Sequence, residues 1–174
     1  MKPVDNKLFT FEMFREVRGR SMGRLAWRLK RFLDEFMEPR LHQRGFADFK
    51  LSYLRLIANI EENGITNNEL ARKADVTKQM MSKVVSLLEA EGYIYTKKDE
   101  IDSRASRIFL NERGIELLTG VHQCMEEAHA HFRTIIGDDR LNRLIDDMKD
   151  LVNGLDGGDD CGFTPKPSSA RPSA

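Results

Sequence analysis

Apolar residues recur at helical spacing over most of the chain. The stripe at Phe11–Val17 predicts a first helix, which the glycines at 19 and 23 weaken. A longer stripe at Leu25–Met37 predicts a second helix on the same periodicity. Pro39 should kink or end that helix at the residue before it, and Gly45 is a further stop signal.

The middle and the end of the chain also have helical patterns. Phe49–Ile60 is apolar over most of its surface, which predicts one buried helix at the centre of the fold, ended by a left-handed cap at Gly64. Asp138–Leu155 predicts the last helix, with acids at its start. Another helix should begin after a cap at Asn111. Its predicted buried face is Ile115, Leu118, Val121, Met125 and Phe132.

Two short helices joined by a tight turn are predicted between these segments. Thr66 and Glu69 form the pattern of a capping box, which begins the first helix. Thr77 is an N-cap for the second helix. That helix should bury Met81, Val84, Val85 and Leu88 and end at Gly92. The pair has the form of a helix-turn-helix.

A β-hairpin is predicted directly after this helix pair. Tyr93–Thr96 and Ile108–Leu110 are β-prone, and a polar, charged run lies between them. A hairpin with basic residues after a helix-turn-helix is typical of the wing of a winged helix. The alternative is an ordinary solvated turn, because acids dilute the basic residues of its tip.

The second helix of the pair places polar side chains opposite its apolar face. In a helix-turn-helix, the N-terminal end of that helix enters the major groove, where Gln79 can pair with adenine and Lys83 with guanine or a phosphate. Arg104 can insert into a narrow minor groove, with its guanidinium held by Asp102. The predicted DNA contacts are Thr77, Lys78, Gln79, Ser82, Lys83, Ser86, Lys97, Lys98, Arg104 and Arg107.

Ordered motifs across this region resemble a known family. Glu69-Leu70-Ala71 lies in the first helix, Thr77–Ser82 opens the second, and Leu88-Glu89-x-x-Gly92-Tyr93-Ile94 closes it. Asp99-x-x-Asp102-x-Arg104-Ala105, Ile108-x-Leu110 and Glu112-Arg113-Gly114 follow. In this order and spacing, they resemble the MarR family of bacterial transcriptional regulators. Glu100-Ile101 departs from the family pattern, which often has proline there, and leaves the wing conformation open.

The resemblance implies a mainly α fold with a small β-hairpin: a winged helix-turn-helix domain flanked by N- and C-terminal dimerisation helices. We expect a partly helical N-terminal extension at 1–20, a MarR-like domain at 21–155 and a disordered tail at 156–174. The winged helix-turn-helix should span about 48–112. The dimerisation helices should span about 21–44 and 112–155.

The resemblance also implies a sequence-specific regulator, most simply a repressor, that binds double-stranded DNA as a homodimer. The flanking apolar stripes exceed what one winged helix can cover, which independently indicates an interface. Two-fold symmetry makes the operator a pseudo-palindrome. Similar proteins often bind a small molecule between the dimerisation helices and the winged helix, which shifts them away from the DNA-competent spacing and implies release by a ligand. Candidate cleft residues, otherwise plain core, are Trp27, Phe32, Phe49, Tyr53 and Met125.

Composition and motifs bear on the alternatives to a DNA-binding regulator. The 28 basic and 28 acidic residues balance, which counts mildly against DNA binding and keeps open a winged-helix protein-interaction module that does not bind DNA. Lys78, Lys83 and Arg104 favour DNA. We expect a cytoplasmic protein, since no secretory signal or membrane-spanning run is visible. No motif of an enzyme is present, and activation instead of repression stays open.

No cofactor or metal is expected besides an unidentified small-molecule effector. Two cysteines, Cys124 and Cys161, make no disulfide framework, and neither has the surroundings of a redox switch. His122, His129 and His131 lie near Cys124 in sequence. Spacings of two and seven on a helix do not bring such ligands together on one ion.

Overall fold

The computed structural model describes residues 11–98 and 106–155, apart from the side chains of Met13 and Phe14. The predicted fold class, mainly α with a small β element, is confirmed. The helices are α1 (Phe11–Arg20), α2 (Met22–Gln43), α3 (Leu54–Ile57), α4 (Asn67–Lys73), α5 (Lys78–Ala90), α6 (Glu112–Ile136) and α7 (Asp138–Leu155). The strands are β1 (Ile65–Thr66), β2 (Ile94–Lys98) and β3 (Ser106–Leu110).

Helix α2 continues through Pro39 and ends at Gln43, so of the two alternatives for the proline, a kink or an end, the end is wrong. The helix stops close to Gly45, the predicted stop signal. Proline removes one backbone donor and crowds the preceding turn. The Arg40 guanidinium donates to the carbonyl of Phe36 at 2.9 Å and so supplies an extra hydrogen bond in that turn. Met37 and Leu41, on either side of the proline, are both buried in the core. Their packing holds the helix together across a locally unfavourable residue.

The single central helix predicted at Phe49–Ile60 is also wrong. A 3-10 turn at Leu51–Tyr53 leads into α3, which ends at Ile57. The segment is nevertheless central, because Leu56 and Ile57 are buried. An apolar surface on all sides predicted burial correctly, but it did not predict how short the helical part is.

Gly64 precedes a strand instead of capping a helix. Its φ of +70° is left-handed, as expected, but it lies directly before β1. A Cβ there would meet the Phe109 ring at 2.7 Å, so the close approach of β3 also requires glycine. β1 was not predicted from the sequence, because two residues are too few to show an alternation.

The strands form one antiparallel sheet in the order β1-β3-β2. Ile65 pairs with Ile108, and Ile94 pairs with Leu110. The buried isoleucines of all three strands pack under α4 and α5. The predicted inward face of α5 is confirmed, since Met81, Val84, Val85 and Leu88 are all buried. The result is a helix-turn-helix closed by a small sheet.

Helix α6 runs antiparallel to α2, but the face it buries differs from the predicted one. Ile115 is 55% exposed, and Leu118, Val121, Met125 and Phe132 are only partly buried. The fully buried positions are Gly114, Leu117, Gly120, Cys124 and Ala128. Most of these residues are small, which lets α2 approach closely. The prediction followed the size of the side chains and therefore missed this face.

Helix α7 leaves most of its apolar stripe uncovered within one chain. Leu141 is buried at its start. The rest of the stripe is between 39% and 66% exposed, at Leu144, Ile145, Met148, Leu151, Val152 and Leu155. A patch of this kind usually marks an interface.

Within 11–98 and 106–155, no helix combines the length and apolar character that crossing a membrane requires.

We expect Gly114→Ala to destabilise the protein by at least about 2 kcal/mol, because the added Cβ overpacks a rigid site. That Cβ would lie 2.1 Å from the carbonyl oxygen of Tyr93, a backbone atom with little freedom to move. Gly154→Ala is the matched control, since a Cβ there meets nothing within 4 Å. Urea unfolding at one protein concentration measures both. Equal midpoints for the two variants would contradict this account of the packing.

Candidate nucleic-acid interface

Capping interactions fix both helices of the helix-turn-helix at their N-terminal ends. Thr66 accepts a hydrogen bond from the Glu69 amide, and the Glu69 carboxylate accepts one from the Thr66 amide at 3.0 Å. This is the predicted capping box. Thr77 caps α5 by accepting from the Met80 amide at 3.1 Å, also as predicted. Asp75 turns the chain between them with a left-handed φ of 51°.

The predicted contact residues of α5 lie together on one exposed face. Thr77, Lys78, Gln79, Ser82, Lys83 and Ser86 are all exposed. Met80 and Leu87 share this surface, with 54% and 37% of their area exposed. The sequence prediction did not include these two apolar side chains. A helix face of mixed polar and apolar groups can hydrogen-bond base edges and also contact thymine methyls.

Ser82 has a structural role that the sequence did not indicate. Its hydroxyl donates to the carbonyl of Lys78 at 2.9 Å and accepts from the amide nitrogen of Asn67 at 3.1 Å. Asn67 is the first residue of α4, so this contact holds the start of α4 against the start of α5. The Asn67 Oδ1 atom is buried and has no partner. The only sequence signal for this contact was the polar residue Asn67, directly after the capping Thr66.

The stem of the wing presents Lys97 and Lys98 as exposed side chains of β2. Arg107 lies on β3 opposite Lys97, and its side chain is half-buried. Its guanidinium donates to the carbonyl of Gly64 at 3.1 Å and to that of Asn63 at 3.3 Å. It therefore anchors the segment before β1. Asp102 and Arg104, predicted for the wing tip, lie outside the described residues.

Glu89 fastens the wing to α5. One carboxylate oxygen accepts from the Thr96 amide at 2.9 Å and from the Thr96 hydroxyl at 2.7 Å. Glu89 lies near the end of α5, and Thr96 is in the middle of β2. The sequence analysis placed Glu89 only in the motif that closes the second helix and did not predict this contact. The contact fixes the orientation of the hairpin relative to the helix.

A second polar cluster, formed by Asp48, Tyr93 and Arg113, joins the winged helix to α6. The Arg113 guanidinium donates to Asp48 at 2.9 Å and lies 4.4 Å from the centre of the Tyr93 ring. The Tyr93 hydroxyl donates to the same Asp48 oxygen at 2.8 Å. Burial would raise the pKa of Asp48, but hydrogen bonds from Tyr93 and Arg113 outweigh it and lower that pKa. Burial and the Asp48 hydrogen bond raise the pKa of Tyr93.

The five candidate cleft residues have different surroundings. Trp27 is 58% exposed, and Phe32 stacks on Phe36 and His131. Phe49 is buried with its ring edge against Tyr93. Tyr53 and Met125 pack at the margin of the core.

Two surface cavities lie elsewhere in the described residues. One of about 510 Å³ is lined by Pro39, Arg40, Gln43, Arg44 and Glu127. The other, of about 380 Å³, is lined by Arg44, Phe46, Ile115, Glu116, Thr119, Gly120 and Gln123. None of the predicted cleft residues lines either cavity.

The thiol of Cys124 is fully buried beside α2. Burial raises its pKa, although the Arg44 guanidinium lies 3.5 Å from the sulfur and acts in the opposite direction. A buried thiol with a raised pKa is a poor nucleophile. No group of three or more His, Cys, Asp or Glu residues arranged to hold a metal ion occurs in the described part of the chain. Cys161 lies outside that part.

A match to a family model agrees with the resemblance that the sequence motifs indicated. The model described as MarR family matches residues 47–105, which hold the helix-turn-helix and most of the hairpin region. Residues 47–105 are therefore similar to the MarR family, in agreement with the sequence motifs. The comparison with curated proteins gives no match.

Solved structures of MarR regulators share the fold. The crystal structure of the S. aureus MepR–DNA complex is 19% identical, with a TM-score of 0.59, and the match covers 78% of this chain and 98% of that one. Apo wild-type MarR from E. coli is 18% identical, with a TM-score of 0.60 and coverages of 76% and 97%. A MarR regulator from Methanosarcina mazei Go1 is 22% identical, with a TM-score of 0.59 and coverages of 77% and 96%. The chain thus has the MarR transcriptional-regulator fold.

We expect Asp48→Asn to make the free energy of unfolding depend less on pH in the acid range. Because the folded-state pKa of Asp48 is lowered, its contribution is present above the unfolded pKa and is lost as pH falls through the folded value. Below about pH 4, the free energy of unfolding of the parent should no longer exceed that of the variant by this contribution. Urea unfolding at a series of pH values measures this. Glu62→Gln removes the same charge from an exposed loop position after α3 and is the control.

Proposed function

We propose that this protein is a transcriptional repressor that binds a pseudo-palindromic operator as a homodimer and is released by a small molecule. The observation that carries the proposal is the exposed N-terminal half of α5, fixed by its cap and fastened to a hairpin with basic side chains. This arrangement supports DNA recognition through the major groove by the helix and along the backbone by the wing.

The proposed roles follow from where each side chain lies. Gln79 and Lys83 contact base edges or phosphates, and the helix N-terminus at Thr77 and Lys78 faces a phosphate. Met80, exposed between them, suits contact with a thymine methyl group. Ser86 lies one turn further along the same helix. Ser82 contributes chiefly by holding α4 against α5 through its hydrogen bonds.

In the wing, Lys97 and Lys98 are proposed to lie along the phosphate backbone. Arg104 remains the proposed minor-groove residue, with Asp102 holding its guanidinium, on the sequence pattern alone. Arg107 supports the wing from inside the sheet, because its guanidinium is committed to carbonyls before β1. DNA binding should therefore depend on it through the position of the hairpin.

The homodimer is proposed from the uncovered apolar face of α7. Such a face stays in water unless another molecule covers it, and a second copy with two-fold symmetry is the simplest partner. Two copies set their α5 helices about one turn of DNA apart, roughly 34 Å, which makes the operator a pseudo-palindrome. MepR, whose fold this chain shares, was crystallised with DNA.

Release by a ligand is proposed at the crevice beside α6. Arg44 lines both of the surface cavities beside α6. A ligand that favours one arrangement of α6 and the winged helix shifts the dimer away from the DNA-binding spacing. The predicted cleft residues, from Trp27 to Met125, remain candidates for a second part of that site. No catalytic chemistry or resident cofactor is part of this proposal.

Selection from a random pool of duplex DNA tests the proposed function. We expect enriched sequences to contain two inverted half-sites whose centres are about 10 base pairs apart. The bound protein should elute as a dimer in size-exclusion chromatography with light scattering. Absence of enrichment at low salt would reject DNA binding and would favour a winged-helix protein-interaction module.

Gln79→Ala should relax sequence choice at one position of each half-site, with a loss of about 1–3 kcal/mol for the preferred base and little loss for the others. The side chain is exposed near the start of α5, so its loss should leave folding unaffected. Repeating the selection with the variant measures this. An unchanged base preference would show that Gln79 does not contact a base edge.

Lys83→Ala should weaken binding to all sequences and lower the dependence of log Kd on log salt by about one counterion. Lys50→Ala removes the same charge from the exposed loop before the 3-10 turn and is the matched control. Fluorescence anisotropy over a salt series measures both slopes. Identical slopes for the two variants would exclude a phosphate contact at Lys83, while a change confined to one base position would indicate a base contact.

A further inference from the structure

Arg113, in the first turn of α6, joins this helix to two other segments of the chain. One guanidinium nitrogen donates to the carbonyl of Glu91, the C-cap of α5, at 2.6 Å. The other donates to Asp48 at 2.9 Å and to the carbonyl of Gly45 at 3.5 Å, both in the segment that follows α2. The guanidinium also lies over the Tyr93 ring. The end of the proposed recognition helix is thus tied to both long helices through one side chain.

The rest of the winged helix is fastened to α5 by contacts of its own. Glu89 accepts hydrogen bonds from Thr96 of β2. Ser82 accepts one from Asn67 of α4. A change of angle at the end of α5 is therefore carried to the whole proposed DNA surface.

The backbone contact at Tyr93 fixes a point of attachment but not an angle. The Asn111 amide donates to the Tyr93 carbonyl at 2.9 Å, and a single bond of this kind is an axis about which the winged helix can turn. The bonds of Arg113 lie on other atoms and include a second segment, so they oppose that turn. Phe49 also packs on the Tyr93 ring, but hydrophobic attraction is non-directional. Hydrogen bonds weaken steeply when their angle changes.

The length of α5 amplifies any change of angle at Glu91. Gln79 lies about 12 residues before Glu91, which is about 18 Å along the helix at 1.5 Å per residue. A tilt of about 10° at Glu91 therefore displaces Gln79 by about 3 Å. Successive base pairs are about 3.4 Å apart along the duplex. Selecting one half-site spacing over the next thus requires that this angle be held to within about 10° in each copy.

We propose that Arg113 is a positioning residue that determines which distance between two half-sites this protein accepts. This rests on the homodimeric DNA binding of the proposed function and adds to it a residue away from the recognition face. Arg113 acts without contacting DNA, by holding α5 at one angle to α2 and α6. Its ion pair adds little to stability, because the side chains of Arg113 and Asp48 are 35% and 41% exposed. Its main effect is therefore on geometry.

Arg113→Lys separates the geometry from the charge. The guanidinium donates from several nitrogens in fixed directions, whereas a lysine ammonium is a point charge on a flexible stem. The variant keeps the charge of α6 but cannot hold all of these acceptors at one angle. Ile57→Val is the control for stability, since it removes a methyl group from the buried core and makes none of the hydrogen bonds of Arg113.

Three duplexes test the proposal on the full-length protein: the selected operator, and the same half-sites with one base pair added or removed between them. Fluorescence anisotropy gives Kd for each. The parent should bind the selected spacing at least about tenfold more tightly than the other two, and Arg113→Lys should lower this ratio to about threefold or less. A duplex with a single half-site should bind both proteins equally, because the recognition face is unchanged. Ile57→Val should keep the parental ratio.

Several outcomes would overturn the proposal. One is a parental ratio in folded Arg113→Lys, and another is a parent that binds all three spacings equally. An equal fall of the ratio in Ile57→Val would assign the effect to lost stability. If circular dichroism shows that Arg113→Lys does not fold, Asp48→Asn replaces it, because it removes the charge that holds the guanidinium, and a parental ratio there would also refute the role of Arg113.

The parent separates this proposal from the proposed function. A parent that binds no selected duplex would reject DNA recognition and, with it, the role of Arg113. A parent that binds its operator while the variant keeps the same spacing ratio would leave the proposed function intact and reject only the role of Arg113.

Discussion

The contact between the start of α6 and the backbone at Tyr93 determines how the two parts of the fold are joined. Gly114 lies so close to the Tyr93 carbonyl that no side chain fits between them. The Asn111 amide donates to that same carbonyl at 2.9 Å. Arg113 then stacks on the Tyr93 ring and binds Asp48. The winged helix therefore meets the long helix α6 at one orientation.

The same junction links the proposed DNA surface to the proposed dimer surface. Tyr93 follows the end of α5, while α6 packs along α2 and leads to α7. A rotation of α6 therefore either carries Tyr93 with it or breaks the contacts that Asn111 and Arg113 make with that residue. Under the proposed function, a ligand in the crevice beside α6 acts through this connection.

Local signals predicted much of the fold, and close contacts between distant segments account for the errors. Caps such as Thr66 and Thr77 act within one turn, so the sequence shows them directly. The buried face of α6 depends on how near α2 comes, and only small residues such as Gly120 and Ala128 permit that approach. At the candidate interface, exposure of Lys78 and Gln79 was predictable from helical spacing. The hydrogen bonds of Glu89 with Thr96 and of Asn67 with Ser82 were not predictable, because the tertiary fold decides which residues become their partners.

The bond from Glu89 to Thr96 has a consequence for how new binding preferences can arise. Both acceptor contacts lie near the C-terminal end of α5, about three turns beyond the recognition face at its N-terminal half. Substitutions at that face leave the hairpin where it is, because the hairpin is fastened elsewhere. Relatives of this protein could therefore diverge in the sequences they recognise while keeping one common geometry of helix and wing.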